Sequence, residues 1–361
     1  MSSSLRNKIK EWGGEKRMKE SIIGSLYCPE CREILECEVS RIERGEIKEG
    51  ALICNNCFKR YPIRNYIPRF VEEDNYASSF GFEWNKHVRT QIDKFNGTNI
   101  SRDRFYRETN WNPKDLKNQK ILEAGCGAGR FTEIAIETGA DVYSFDLSNS
   151  VEACLSNNGL AENLHIFQAS IYELPFQKEY FDKIFCFGVL QHTPDVRRAF
   201  LSLVPYLKSG GEIVVDVYRK SLGSYLSPKY YLRFLTNRID DEKLHRIVTR
   251  MVPKMLPLSI GLRKIPVLGR YLSYAVPVAN YKGVLPIKDE NLLEWAILDT
   301  FDLLSPKYDN PQTITTVKDW FIEAGLINIQ VTTHGVIVGK GTKAYVGGID
   351  RMNLLHSMKC F

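Results

Sequence analysis

Ile121-Leu122-Glu123-Ala124-Gly125-Cys126-Gly127-Ala128-Gly129 is the stretch on which the fold turns. An apolar, strand-like run enters a loop with glycine at alternate positions, and a helix-like run, RFTEIAIETGA, opens near Phe131. Glycine permits positive φ and lets a ligand approach the backbone. The start of a helix offers free N–H groups. A phosphate-cradling loop would continue Gly-Lys-Ser/Thr, but Arg130-Phe131 follow Gly129 and exclude it. A G-x-G-x-x-G dinucleotide loop needs glycine at position 130, where arginine stands. The pattern present is E-x-G-x-G-x-G.

Outward from this loop, strand-like and helical runs alternate. DVYSFDL ends near Asp146, 17 residues after Gly129, and VEACLSNNG follows. NLHIFQAS, FDKIFCFGVL and GEIVVDVY continue the rhythm, which predicts a parallel sheet with helices on both faces. An acidic side chain at the end of the second strand can accept both hydroxyls of a ribose. The rhythm stops after Tyr218 and resumes as a helix at Thr315–Ala324 and two apolar runs, NIQVTTH and GVIVGK, which read as a closing hairpin.

The ordered set of glycine loop, Asp146, the loop Leu174-Pro175-Phe176 and the turn Leu207-Lys208-Ser209-Gly210-Gly211 resembles class I S-adenosylmethionine (SAM)-dependent methyltransferases of type 11. The resemblance covers about Ile121–Tyr218. It implies a doubly wound, mostly parallel seven-stranded α/β sheet. It also implies SAM as cofactor, held by Glu123, Gly125, Cys126, Gly127, Gly129, Asp146, Leu147, Ser170, Ile171, Gly188 and Gln191, with Trp84 closing over it. One position departs from the family: Ser170 stands where an acidic residue often meets the adenine. Methyl transfer from a sulfonium is an in-line displacement in which alignment is the main contribution of the protein. A base is needed only where the acceptor loses a proton, and His192, after the strand ending in Gly188-Val189-Leu190-Gln191, is the candidate. Tyr76, Phe82 and Trp84 precede the core and are expected either to cover the cofactor or to staple two domains together.

Cys28-Pro-Glu-Cys31 and Cys54-Asn-Asn-Cys57 form two C-x2-C knuckles separated by 22 residues. Four thiolates so arranged suit one tetrahedral zinc with no open position, hence a structural site. With Tyr61-Pro62-Ile63 and Ile67-Pro68, the segment resembles the zinc-ribbon activator subunit of tRNA methyltransferases. Removing this zinc is expected to unfold the ribbon and leave the SAM site intact.

The 361 residues are 43% hydrophobic and 25% charged, ordinary globular values that suit two or three domains. No run of about 18 uncharged apolar residues or signal-type segment occurs, so a cytoplasmic setting is expected. The division expected is a charged tail (1–25), a zinc ribbon (26–70), a linker with FGFEW (71–118), the SAM-binding core (119–220), a helical lid insertion (221–310), a C-terminal helix and hairpin (311–345) and a tail (346–361). Residues 221–270 hold ten Lys or Arg against three acids, with Tyr225, Tyr230, Tyr231 and Phe234 interleaved. This predicts an anionic acceptor beneath a basic cover: a small, lipid-linked or nucleotide-linked metabolite. Weak contact with a membrane surface is a further reading of the same charge. The rivals are an RNA methyltransferase, against which the lack of an Asn/Asp-Pro-Pro-Tyr/Phe motif counts, and a non-catalytic scaffold of the same fold.

Overall fold

The computed structural model describes residues 20–72, 74–220 and 228–345. Most of the charged tail, Tyr225 with the start of the insertion, and the C-terminal tail lie outside the described residues.

The N-terminal module is an antiparallel sheet of β1 (Leu35–Glu43), β2 (Glu46–Cys54), β3 (Arg60–Arg64) and β4 (Ile67–Pro68), in that order. Its long first hairpin turns on Arg44 and Gly45, both at positive φ (55° and 75°). Such a two-residue turn matches the twist of the strands it joins.

The main sheet contains β5 (Lys120–Ala124), β6 (Asp141–Asp146), β7 (Leu164–Gln168), β8 (Phe181–Cys186), β9 (Leu207–Tyr218), β10 (Leu326–His334) and β11 (Val336–Lys343). Their order is β10-β11-β9-β8-β5-β6-β7. The five strands from β9 to β7 run parallel, and the closing hairpin is antiparallel. The sheet is therefore doubly wound, as the sequence implied. Strand order reverses on either side of β5, so a crevice opens beyond the carboxyl ends of β5 and β8.

Alternation along the strands separates two apolar layers. Leu122, Phe145, Phe167, Ile184 and Val215 point to one, and Ile121, Val142, Ile166, Phe185 and Val214 to the other. Helices α1 (Ser78–Lys86) and α2 (Ile100–Thr109) precede the sheet, and α3 (Thr132–Glu137), α4 (Val151–Asn158) and α5 (Val196–Leu203) connect its strands. The insertion is helical: α6 (Pro228–Thr236), α7 (Asp241–Arg263), α8 (Gly269–Tyr274) and α9 (Asp289–Leu304). Helix α10 (Ile314–Glu323) returns to the sheet. On α7, Leu244, Val248, Val252 and Leu256 recur every four residues and pack with Leu292, Ala296 and Phe301 in a core of their own.

The ribbon is not a separate bead. Its Leu26, Leu35, Leu52 and Ile63 share one core with Phe167, Leu174 and Phe176 of the main domain. Tyr27 N–H donates to the Pro175 carbonyl at 2.9 Å, and Phe70 N–H donates to that of Gln168, the last residue of edge strand β7, at 2.7 Å. Arg69, 6% exposed, donates to Gln168 Oε1 (2.7 Å) and Asn149 Oδ1 (2.8 Å) and pairs with Glu152. The Arg69→Ala variant leaves those acceptors without their donor and should lose about 3 kcal/mol of stability. Urea unfolding measures this, and an unchanged midpoint would show that the joint contributes nothing.

Candidate active site

The carboxyl ends of β5, β6 and β8 open into a cleft of about 550 Å³, within the ~300–1,000 Å³ common for small-molecule sites. Trp84, Gly125, Cys126, Gly127, Asp146, Leu147, Ile171, Gly188 and His192 line it. Glu123, Gly129 and Gln191 are buried outside the lining, and the half-exposed Ser170 lies outside it too, its hydroxyl accepting from Tyr172 N–H at 3.3 Å.

The glycines divide their work. At Gly127 (φ 51°) a Cβ would come 3.2 Å from Trp84 Nε1, so this position faces the cleft. At Gly125 (φ 79°) a Cβ would lie 2.2 Å from Val189, and at Gly129 (φ 84°) 2.3 Å from Asn158. Gly129 thus serves the close packing of α4 rather than the approach of a ligand.

Asp146 is fixed before any ligand arrives. Its Oδ2 accepts from Gly127 N–H at 3.1 Å, and its Oδ1 accepts from Ser148 N–H at 2.8 Å and the Ser148 hydroxyl at 2.7 Å. Burial raises its pKa against the lowering effect of these donors. Glu123 Oε2 accepts from the hydroxyls of Ser144 and Thr132, while its Oε1 has no partner. Burial pushes its carboxyl up to about 7. It ties β5 to β6 and to α3 beneath the loop.

His192 Nδ1 lies 2.9 Å from the Tyr308 carbonyl oxygen. A carbonyl only accepts, so Nδ1 carries the proton and Nε2 of the neutral ring keeps its lone pair. The ring packs on Phe80 and on Tyr218, with centroids 4.9 and 5.5 Å away. Tyr76 and Trp84 line the cleft. Phe82 instead packs against Phe301 and His245 of the insertion and staples α1 to it. Gln191 is fully buried with neither side-chain polar atom partnered.

The insertion covers the cleft with Tyr281, Leu285, Pro286, Trp295, Leu298, Asp299, Asp302 and Leu303. The expected basic cover over the acceptor is not there. No Lys or Arg of the described residues 228–270 lines the cleft. Arg263 donates to the Asn280 carbonyl, and Lys264 is exposed. The reason is helical phase: the buried stripe of α7 is apolar, so its cations fall on the outer side. The insertion's charge toward the cleft is acidic, joined by Glu83 of α1, which sequence reasoning missed.

Glu83 is fully buried, and both its carboxylate oxygens lack a partner. Burial first, then Asp302, Asp299 and Asp241, push its carboxyl well above the usual 4.5. Burial also pushes Asp299 up to about 7, although Gln91 Nε2 donates to it at 2.8 Å. Of the cleft's arginines, Arg104 pairs with Asp216 and Glu108, whereas Arg130 donates to two neutral groups, Gln91 and Ser101, and burial lowers its pKa to about 10.

In the ribbon, the sulfurs of Cys28, Cys31, Cys54 and Cys57 all lie within 4.8 Å of one another. Two of the separations are 3.2 and 3.6 Å. Four sulfurs about 2.3 Å from one ion would stand about 3.8 Å apart. The Tyr61 hydroxyl lies 3.2 Å from Cys28 Sγ.

A doubly wound sheet with a glycine loop and a carboxylate at the ends of adjacent strands defines a nucleoside-binding α/β domain. Residues 122–215 match the methyltransferase domain family. The ubiquinone biosynthesis O-methyltransferase of Coxiella burnetii is 30% identical over 113 residues, 31% of this chain and 48% of that protein. A ubiquinone/menaquinone biosynthesis C-methyltransferase of Vibrio parahaemolyticus is 34% identical over 120 residues, covering 31% and 46%. The chain thus spans about half the length of these curated relatives. Among solved structures, a putative SAM-dependent methyltransferase from Methanococcus maripaludis aligns with a TM-score of 0.42 at 13% identity, covering 77% of this chain and 99% of that one.

The raised carboxyls set a pH dependence. Where the folded-state pKa exceeds the unfolded value, the folded protein holds a proton the unfolded chain releases, so stability falls as pH rises through that window. For Glu83 the window begins near 4.5, and the carboxyls of Glu123 and Asp299 reach about 7. The Glu83→Gln variant should therefore melt higher than the parent near pH 8, with the gap closing as pH falls toward 4.5. Thermal midpoints across this range test the assignment, and a gap that widens on acidification would contradict it.

Proposed function

We propose that the chain transfers the methyl group of SAM to a small, uncharged, largely apolar acceptor enclosed by the insertion. The observation that carries this reading is convergence. The loop after β5, the carboxylate after β6 and the imidazole after β8 meet in one cleft, and the insertion roofs it. The residues fit the cofactor. Gly127 leaves room beside Trp84, and the pre-oriented Asp146 suits a ribose. Bound SAM supplies an electrophilic methyl on a sulfonium. The protein's part is to align the acceptor and exclude water. His192 Nε2 takes the proton of an O–H acceptor, with Nδ1–H anchored on Tyr308. Glu83, kept neutral by burial, donates a hydrogen bond to an acceptor oxygen. Tyr218, Tyr281 and Trp295 supply an apolar wall. The relatives' names, O- and C-methyltransferases of ubiquinone biosynthesis, support an acceptor of this apolar kind. Labelled-methyl transfer from SAM to extracts separated into lipid, RNA and soluble pools tests it, and label confined to RNA would overturn it.

The Asp146→Ala variant should bind S-adenosylhomocysteine about 5- to 150-fold more weakly, the equivalent of 1–3 kcal/mol for hydrogen bonds to a charged acceptor. Calorimetry decides this; undiminished affinity would remove Asp146 from the site.

The four thiolates fit a closed zinc site in which Tyr61 orients Cys28. One zinc per chain is expected by elemental analysis of the freshly purified protein. The core shared between ribbon and sheet revises the effect of chelation. Loss of the ion should lower the melting point of the whole chain and weaken S-adenosylhomocysteine binding through Arg69 and Asn149, rather than spare it. A metal-free preparation with the same melting point would refute the site.

A further inference from the structure

Between Lys243 and Lys288 the chain contains nine Lys or Arg and no Asp or Glu. Of these cations, Lys243, Arg246, Arg250, Lys254 and Lys264 have no acidic partner among the described residues. The first four recur at helical spacing on the side of α7 opposite its buried stripe. This basic face runs into an apolar corner between α7 and α8. There Val267 is 90% exposed, Tyr271 73%, Tyr274 62% and Leu268 59%. Val267 also sits at φ 63°, a conformation that costs a β-branched residue energy.

We propose that this face, α7 together with the α7–α8 corner, docks on an anionic lipid bilayer. Both halves of the surface suit such a partner. Unpaired cations are drawn to acidic headgroups, and aliphatic and tyrosine side chains enter the boundary between headgroups and acyl chains. A nucleic acid would use the cations but has no place for Val267 and Leu268. Among the described residues no helix is long and apolar enough to cross a membrane, so the contact is with the surface. The chain passes from Tyr274 to Tyr281, Leu285 and Pro286, which line the cleft roof. A docked protein would therefore hold the roof of its cleft close to the lipid.

The test is co-sedimentation of the full chain with vesicles, either pure phosphatidylcholine or phosphatidylcholine with about one third phosphatidylglycerol. Binding is expected only to the second and should weaken as salt rises. The double variant Val267→Asp/Leu268→Asp should lower partitioning at least about tenfold. The double variant Lys254→Glu/Lys264→Glu should lower it at least about 25-fold, at about fivefold for each of the two cations lost. All four residues are exposed, so both variants should keep the parent's melting point and its affinity for S-adenosylhomocysteine. Three results overturn the proposal: no sedimentation with either vesicle, equal sedimentation with both, or vesicle binding that survives both variants. Retention of a polyuridylate strand that ignores the Val267/Leu268 change, without vesicle binding, would assign the cations to RNA instead. If S-adenosylhomocysteine fails to bind the parent protein, the methyl-transfer reading falls while the vesicle result stands on its own.

Discussion

Helix α1 is gripped on every side at once, and the cleft exists because of that grip. Five consecutive residues go to five different places. Phe80 packs on His192, and Gly81 passes so close to Ser148 and Asn149 that a Cβ would sit 3.0 Å from the Asn149 nitrogen. Phe82 enters the core of the insertion, Glu83 faces the cleft, and Trp84 stands over Gly127. His87 then meets His245 of α7, with Nε2 atoms 2.9 Å apart. A helix of nine residues is too short to be stable alone, so it is the tertiary contacts that hold it. Through them the positions of the roof, the Asp146 carboxylate and the His192 imidazole become one geometric problem with one solution.

The charge of the molecule is sorted by side. The cations Lys243, Arg246, Arg250 and Lys254 of α7 face outward, and unpaired or crowded acids face the cleft. Keeping Glu83 buried without a partner works against stability. That is the pattern of a group retained for what it does when the cleft is filled. Arg104 of the cleft carries no such surplus, because it is matched by Asp216 and Glu108.

The sheet was readable because parallel strands buried on both faces appear as apolar runs separated by helical ones. The four knuckle cysteines were readable from spacing alone. Charge over the insertion was not readable from a sum, which carries no phase. The four-residue recurrence of Leu244, Val248, Val252 and Leu256 is the signal that puts Lys243, Arg246, Arg250 and Lys254 on the far side. Glu83 offered no signal of its own. Its importance comes from a helix-to-helix approach across more than 200 residues of chain, which no local pattern records. Ser170 and Gln191 were drawn into the site by their place in the motif order, yet neither lines the cleft: Gln191 is buried and the half-exposed Ser170 accepts from Tyr172 N–H. Ribbon and sheet read as two modules because their cores are separate in sequence, although they are continuous in space.

That continuity bears on how the chain is made. The ribbon emerges from the ribosome first, and its apolar face (Leu26, Leu35, Leu52 and Ile63) is covered only when Phe167, Leu174 and Phe176 arrive, about 100 residues later. At about 5–20 residues per second, the interval is roughly 5–20 s. During that time the half-built module holds its four thiols together without its permanent neighbour. Binding of the proposed zinc would have to fall in the same interval as any shielding by chaperones, and would leave a finished surface onto which the edge of the nascent sheet can close.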